Sequence, residues 1–141
     1  MSLVKTRFAP SPTGYLHIGG ARTALFAWLY AKSQDGDCLL RIEDTDKERS
    51  KDKYTTEIIE SFKWLGVEFD NKVVYQSNNA DRYKEVIDQL LEQGSAYVCN
   101  GEDPETDKEY RDQNLPRDNK TVVRFKMPKE GTTVYADIVK G

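Results

Sequence analysis

Two periodicities alternate along the first part of the chain. Residues 4–8, Val-Lys-Thr-Arg-Phe, interleave bulky or β-branched side chains with charged ones, which is the period of a strand. They run into Ala9-Pro10-Ser11-Pro12-Thr13-Gly14, where two prolines stop the strand and leave a rigid loop. Residues 21–32 are rich in strong helix formers and carry Ala21, Leu25, Trp28 and Leu29 at helical spacing, which predicts a well-buried helix. Asp35-Gly36-Asp37 ends it. Cys38-Leu39-Leu40-Arg41-Ile42 is then almost continuously apolar, as in parallel strands covered on both faces. Strand, helix, strand in that order predicts a right-handed βαβ unit and an α/β fold.

The same reading continues downstream. Residues 54–65 put Ile58, Ile59, Phe62 and Leu65 on one helical face, with Gly66 placed for a left-handed C-terminal cap. Residues 73–75 form a short strand candidate. Residues 77–93 predict a third helix with Tyr83, Val86, Ile87, Leu90 and Leu91 inward and Gly94 as its stop, and 96–99 predict another strand. Residues 100–120 hold seven acidic and four basic side chains and hardly any aliphatic ones, so they read as a solvated excursion, partly helical at most. Residues 121–125 and 132–136 flank a turn at 126–131 and predict a hairpin. Residues 137–141 stop in the middle of what reads as sheet, which predicts that a longer protein has been cut here.

Composition bounds this picture without redirecting it. The 141 residues are 38% hydrophobic, with 8 Tyr, 5 Phe and 2 Trp, enough to build a core. No apolar run approaches the roughly 20 residues of a membrane helix. Cys38 and Cys99 stand too far apart in sequence for a disulfide framework, and no leader opens the chain, so a reducing cytoplasm is expected. The net charge of -3 hides an asymmetry. Lys5, Arg7, Arg22 and Lys32 are the only charged side chains before Asp35, so the first 34 residues carry +4 and the rest carry -7. Either the first stretch meets an anion, or a buried strand and helix simply hold few charges.

The loop between the first strand and the first helix is the chemically informative place. In open parallel sheets ligands bind beyond the carboxyl ends of the strands, where helix N-termini offer free N–H groups. Gly19 and Gly20 let a phosphate approach the backbone, and His17, the single histidine, stands beside them. Arg7 and Glu43, at the ends of the first two strands, offer either a guanidinium and a carboxylate for a charged substrate or a mutual salt bridge.

The joint string Ala9-Pro10-Ser11-Pro12-Thr13-Gly14-Tyr15-Leu16-His17-Ile18-Gly19-Gly20-Ala21-Arg22-Thr23-Ala24-Leu25-Phe26 resembles the opening signature of bacterial-type glutamyl-tRNA synthetases, class I aminoacyl-tRNA synthetases with a Rossmann-like catalytic domain. His17-Ile18-Gly19-Gly20 occupies the place of the HIGH motif, with Gly20 for its second histidine. Leu40-Arg41-Ile42-Glu43-Asp44-Thr45-Asp46 with Arg49, Phe62-Lys63-Trp64-Leu65-Gly66, Tyr75-Gln76-Ser77, Asp81-Arg82-Tyr83 and Gly94-Ser95-Ala96-Tyr97 resemble the same family in order and spacing.

The resemblance implies ATP-dependent activation of L-glutamate to glutamyl-adenylate and transfer to the 3′ end of tRNA(Glu). It assigns glutamate contacts to Arg7, Ala9, Ser11 and Glu43, and ATP contacts to His17, Gly19 and Gly20, with His17 catalytic. Magnesium comes with ATP rather than in a protein cage. The family divides the chain into residues 1–96, the first half of an incomplete catalytic domain, and 97–141, the start of the insertion that holds the tRNA acceptor end. No segment matches the KMSKS motif, and Lys126-Met127-Pro128-Lys129 is a turn. Some relatives carry a zinc knuckle after the segment matching 96–99. Here Cys99 is alone and Gly101 stands where a second ligand is expected, so no zinc is expected. Two other readings remain: a shortened paralogue that attaches glutamate to queuosine in tRNA(Asp), and a non-catalytic binding module derived from the synthetase fold.

Overall fold

The computed structural model describes residues 4–101, 103–113 and 115–137. The chain forms two compact units, Met1–Asp81 and Arg82–Gly141.

The first unit is the predicted strand-helix-strand unit, extended by one repeat. β1 (Lys5–Phe8), α1 (Ile18–Ser33), β2 (Asp37–Ile42), α2 (Asp52–Trp64) and β3 (Val74–Tyr75) build a parallel sheet of order β1-β2-β3. Its register runs from Lys5 opposite Asp37 to Phe8 opposite Leu40, and then Arg41 opposite Val74 and Ile42 opposite Tyr75. Where β2 has no strand partner on the β3 side, side chains replace one. Asp70 takes the Cys38 N–H at 2.7 Å, and Asn71 takes the Leu40 N–H at 2.8 Å while donating to the Leu40 carbonyl at 3.1 Å. The buried backbone thus keeps its hydrogen bonds before β3 begins. Lys32 closes on Asp70 at 2.7 Å and holds that carboxyl below the usual range.

Both helices lie against one face of the sheet. Phe8, Leu40 and Ile42 from the strands meet Ala24 of α1 and Ile58 and Phe62 of α2, with Val67 closing the cluster. Phe62 meets Phe8 and Phe69 edge-on, with ring centroids 5.3 and 5.4 Å apart. The other face departs from expectation: β2 is buried at Cys38, Leu40 and Ile42 but only half-buried at Asp37, Leu39 and Arg41. Two of those three carry charge, so the strand is one-sided.

Helix α1 also differs from its prediction. It begins at Ile18 rather than near Ala21, because the His17 side chain caps it. Its buried stripe is Ala21, Ala24 and Ala31, whose small side chains let the helix lie close to the sheet, while Leu25 and Trp28 are half-buried. Leu29 joins Ile18 and Phe26 on a second apolar stripe, where the three are 55%, 86% and 65% exposed. Helix α2 ends as predicted. Gly66 has φ 72°, and the Val67 N–H reaches the Phe62 carbonyl at 2.9 Å, a Schellman closure that only a residue at ease with positive φ makes without strain.

The second unit contains most of α3 (Ala80–Glu92), preceded by a 3₁₀ turn at Gln76–Asn79, then β4 (Ala96–Cys99), the single turn α4 (Pro104–Asp107) and β5 (Val122–Phe125). On α3, Val86, Ile87, Leu90 and Leu91 are half-buried and Tyr83 is exposed. β5 does not pair with residues 132–136, so the predicted hairpin is corrected. It runs antiparallel to β4, from Ala96 opposite Phe125 to Cys99 opposite Val122. All four β4 residues are buried, whereas Val134 and Tyr135 are 85% and 78% exposed and offer β5 no covered surface. Residues 100–120 are helical only at α4 and a 3₁₀ turn, Lys108–Tyr110. Of the last five residues, those from 138 onward lie outside the described residues.

Candidate active site

The loop that leaves β1 is held at both of its prolines. The Glu43 N–H donates to the Pro10 carbonyl at 2.9 Å, and the Lys51 N–H to the Pro12 carbonyl at 3.1 Å. Pro12 is fully buried, and Tyr15 rests edge-on against Tyr54 with centroids 5.1 Å apart. Proline supplies no N–H but presents its carbonyl from a fixed φ, so the two prolines predicted to stop a strand also fasten the loop to the tip of β2 and the start of α2.

That loop delivers His17 to the head of α1. Its Nδ1 accepts the Gly19 N–H at 3.2 Å, and the Ala21 N–H returns to the His17 carbonyl at 3.0 Å. An imidazole that accepts at Nδ1 and is neutral carries its proton on Nε2, so the exposed ring edge is a donor. A Cβ at Gly19 would come within 3.0 Å of His17 Cε1, and one at Gly20 within 3.0 Å of Leu16 Cδ1. Gly19 therefore leaves room for the His17 cap, and Gly20 for the Leu16 side chain. A cavity of about 170 Å³ opens here, and it brings Ser11, His17 and Gly20 together with Phe8 and Pro10.

Arg7 and Glu43 do not form the salt bridge that was the alternative to a substrate site. Arg7 is exposed and, among the described residues, its side chain makes no hydrogen bond or ion pair, whereas Glu43 pairs with the Arg41 guanidinium. Register puts Arg7 level with Leu39, so Arg7, Leu39, Arg41 and Glu43 share the half-open sheet face. At about 3.3 Å per residue, Glu43 lies about 13 Å farther along that face than Arg7. Ala9, half-buried, and Ser11, exposed, occupy the loop beside this tip.

Three polar contacts around the tip carried no role in the sequence reading. The Ser77 N–H and hydroxyl donate to the two carboxylate oxygens of Asp44 at 2.9 and 2.6 Å, tying the end of β2 to the turn after β3. Burial works against ionisation of Asp44, but these donors outweigh it and hold the carboxyl below its ordinary range. Arg49 holds Asp46 at 2.6 Å and lowers that carboxyl too. Arg41 on Glu43 is the third. Period-two alternation along β2 puts Arg41 and Glu43 on one face, and that signal is present in the sequence.

In the second unit four basic side chains of residues 108–126 are committed to acids. Lys108 pairs with Glu105, Arg117 with Asp88, Lys126 with Asp112 and Arg124 with Asp107. Asp107 is fully buried, and it also takes the Gly101 N–H at 3.1 Å. Burial opposes its charge, yet Arg124 holds the carboxyl below the usual range. Among the described residues, no group of three or more His, Cys, Asp or Glu side chains is arranged to hold a metal, and no helix is long and apolar enough to cross a membrane.

The sequence and the fold are shared with known proteins. Residues 3–118 match the tRNA synthetases class I (E and Q) catalytic domain, and the chain belongs to that family. It is 50% identical to the glutamate–tRNA ligase of Lawsonia intracellularis over an alignment of 157 positions, gaps included, and 45% identical to that of Azorhizobium caulinodans over 160; each alignment covers 100% of this chain and 34% of the relative. Among solved structures it is similar to a glutamate tRNA ligase from Elizabethkingia meningosepticum in complex with its amino acid. The TM-score is 0.74 at 33% identity, over 90% of this chain and 33% of that one. The glutamate-tRNA synthetase from Elizabethkingia anophelis gives a TM-score of 0.72 at 34% identity. The chain thus spans about a third of the length of the curated relatives it matches.

Proposed function

We propose that this chain is the N-terminal part of a cytoplasmic glutamate–tRNA ligase, an enzyme that activates L-glutamate with ATP and transfers it to the 3′ end of tRNA(Glu). Residues 1–96 are the first half of its catalytic domain, and 97–141 begin its tRNA acceptor-binding insertion. What carries the reading is the His17 cap on α1, which fixes a donor-bearing imidazole edge and the helix N-terminus at one strand-loop-helix junction.

The chemistry follows from charge. A carboxylate oxygen of glutamate attacks the α-phosphorus of ATP in line, the bond to the bridging oxygen breaks, and pyrophosphate leaves with that electron pair. Negative charge grows on the phosphoryl oxygens, so a donor at His17 Nε2 and the N-terminal N–H groups of α1 stabilise the transition state more than the ground state. Gly19 and Gly20 admit the nucleotide. Arg7 forks onto a substrate carboxylate, Glu43 receives the ammonium, and Ala9 and Ser11 line the substrate between them. Magnesium, when it arrives with ATP, neutralises phosphate charge. The seven acidic side chains of residues 100–120, and the pairing of Lys108, Arg117, Arg124 and Lys126 with acids, argue that the RNA backbone is gripped elsewhere.

The chain by itself lacks the second phosphate-binding motif and is inactive in this reading. The test joins it to the remaining two-thirds of one of the ligases it matches and measures glutamate-dependent exchange of pyrophosphate into ATP, then charging of tRNA(Glu). Activity supports the reading, and Arg7→Ala is expected to raise the glutamate KM at least about tenfold, roughly 1.4 kcal/mol. Charging of tRNA(Asp) instead would favour the queuosine-modifying paralogue, and a graft that binds but never exchanges would favour a binding module.

A further inference from the structure

We infer that Arg41 is a third charged residue of the amino-acid site: it holds the Glu43 carboxylate while the site is empty, and it turns to a substrate carboxylate once the substrate's ammonium takes its place on Glu43. This rests on the reading of Arg7 and Glu43 as the glutamate-binding pair.

Geometry places Arg41 between the two. Register sets Arg7 level with Leu39, so Arg41 lies two residues and Glu43 four residues farther along the same face, about 7 and 13 Å at the strand's rise. Arg41 and Glu43 are ion-paired, with side chains 29% and 31% exposed, so the pair can be reached from solvent. A dicarboxylate with one ammonium carries net charge −1. Arg7 and Glu43 alone sum to zero against it, and Arg41 raises the site to +1, opposite to the substrate.

The guanidinium is also short of partners where it rests. One terminal nitrogen meets Glu43, but Arg41 Nε is buried with no hydrogen-bond partner. A buried donor without an acceptor calls for a reason, since burial has cost it its water and nothing has replaced it. Rotation toward a substrate carboxylate gives the fork both of its acceptors, the geometry that guanidinium and carboxylate favour. As a purely structural pair, two partly exposed charges on one strand contribute little.

The experiment uses the active graft and four sequences: wild type, Arg41→Gln, Arg41→Lys and Glu43→Gln. Pyrophosphate exchange is followed against glutamate and ATP separately, with thermal unfolding of each variant in parallel. Expected for Arg41→Gln is a glutamate KM raised at least about tenfold, with the ATP KM and the unfolding temperature little changed; Arg41→Lys, which keeps the charge and loses the fork, recovers part of that loss. An unchanged glutamate KM in Arg41→Gln while Glu43→Gln raises it overturns the role of Arg41 and leaves the glutamate site standing. Unchanged KM in both overturns the glutamate site itself. A lowered kcat and unfolding temperature without a KM effect assigns Arg41 to structure alone, and an inactive graft overturns the reading and this inference together.

Discussion

The Glu43 amide donates to the Pro10 carbonyl across 2.9 Å, so the carboxylate that ends β2 and the loop that carries His17 belong to one hydrogen-bonded frame. A frame of this kind is what catalysis by positioning needs, because donors must already stand where charge will develop.

His17 caps α1, and the proposed mechanism gives it a second duty at the phosphate; asparagine separates the two. An asparagine oxygen caps a helix well, so His17→Asn should keep α1 and leave the unfolding temperature nearly unchanged. It removes the Nε2 donor, and exchange activity in the graft should fall about 100-fold. Equal activity with an intact helix would remove His17 from the chemistry.

Asp44 makes stability depend on acid in a definite direction. Its folded carboxyl titrates below the unfolded value of about 3.9, so its contribution is complete above that value and is lost as pH falls toward the lower folded one. Asp44→Asn should lower stability by about 1–2 kcal/mol at neutral pH, the scale of hydrogen bonds to a charged group. Wild type and variant should converge in acid. Tryptophan fluorescence follows this, since Trp28 and Trp64 both lie in the first unit.

Phe62 is the centre of the first core, buried among Phe8, Phe69 and the aliphatic cluster. Phe62→Ala should destabilise the first unit by about 3–5 kcal/mol in denaturant unfolding. A loss below about 1 kcal/mol would mean that the cluster repacks freely.

In the second unit, Asp107 fastens Gly101 and Arg124 at once. Asp107→Asn leaves the Arg124 guanidinium without its counter-charge, and Gly101→Ala puts a Cβ 2.8 Å from Val122 Cγ1 at a φ of 77°. Each should strip protection from amide exchange at Ala96–Cys99. Retained protection in both variants would show that β4 and β5 hold without this fastening.

Much of this was legible in the sequence. The period-two run of β1, the βαβ order and the cap at Gly66 follow from local patterns that the core then reinforces. What escaped depended on contacts remote in sequence. The start of α1 is set by a histidine ring rather than by a standard capping residue. Leu29 fits a helical apolar face, but the buried stripe follows the alanines because only they let α1 approach the sheet. The partner of β5 is decided by the covered surface of β4, 23 or more residues upstream, rather than by the nearest turn. At the site, the string from Ala9 to Phe26 pointed to the family, while Arg41 on Glu43 and Ser77 on Asp44 emerge only when strand tips are brought together.

The core cluster of the first unit has an order in time as well as in space. Its buried members run from Phe8 to Val67, and the last side chain packed against them is Tyr75. A ribosome has therefore polymerised every residue of that core before it reaches Arg82. Every residue of the strand-loop-helix junction and of the core beneath it therefore precedes β4 and β5 in synthesis, so the first unit leads the second in the order of folding.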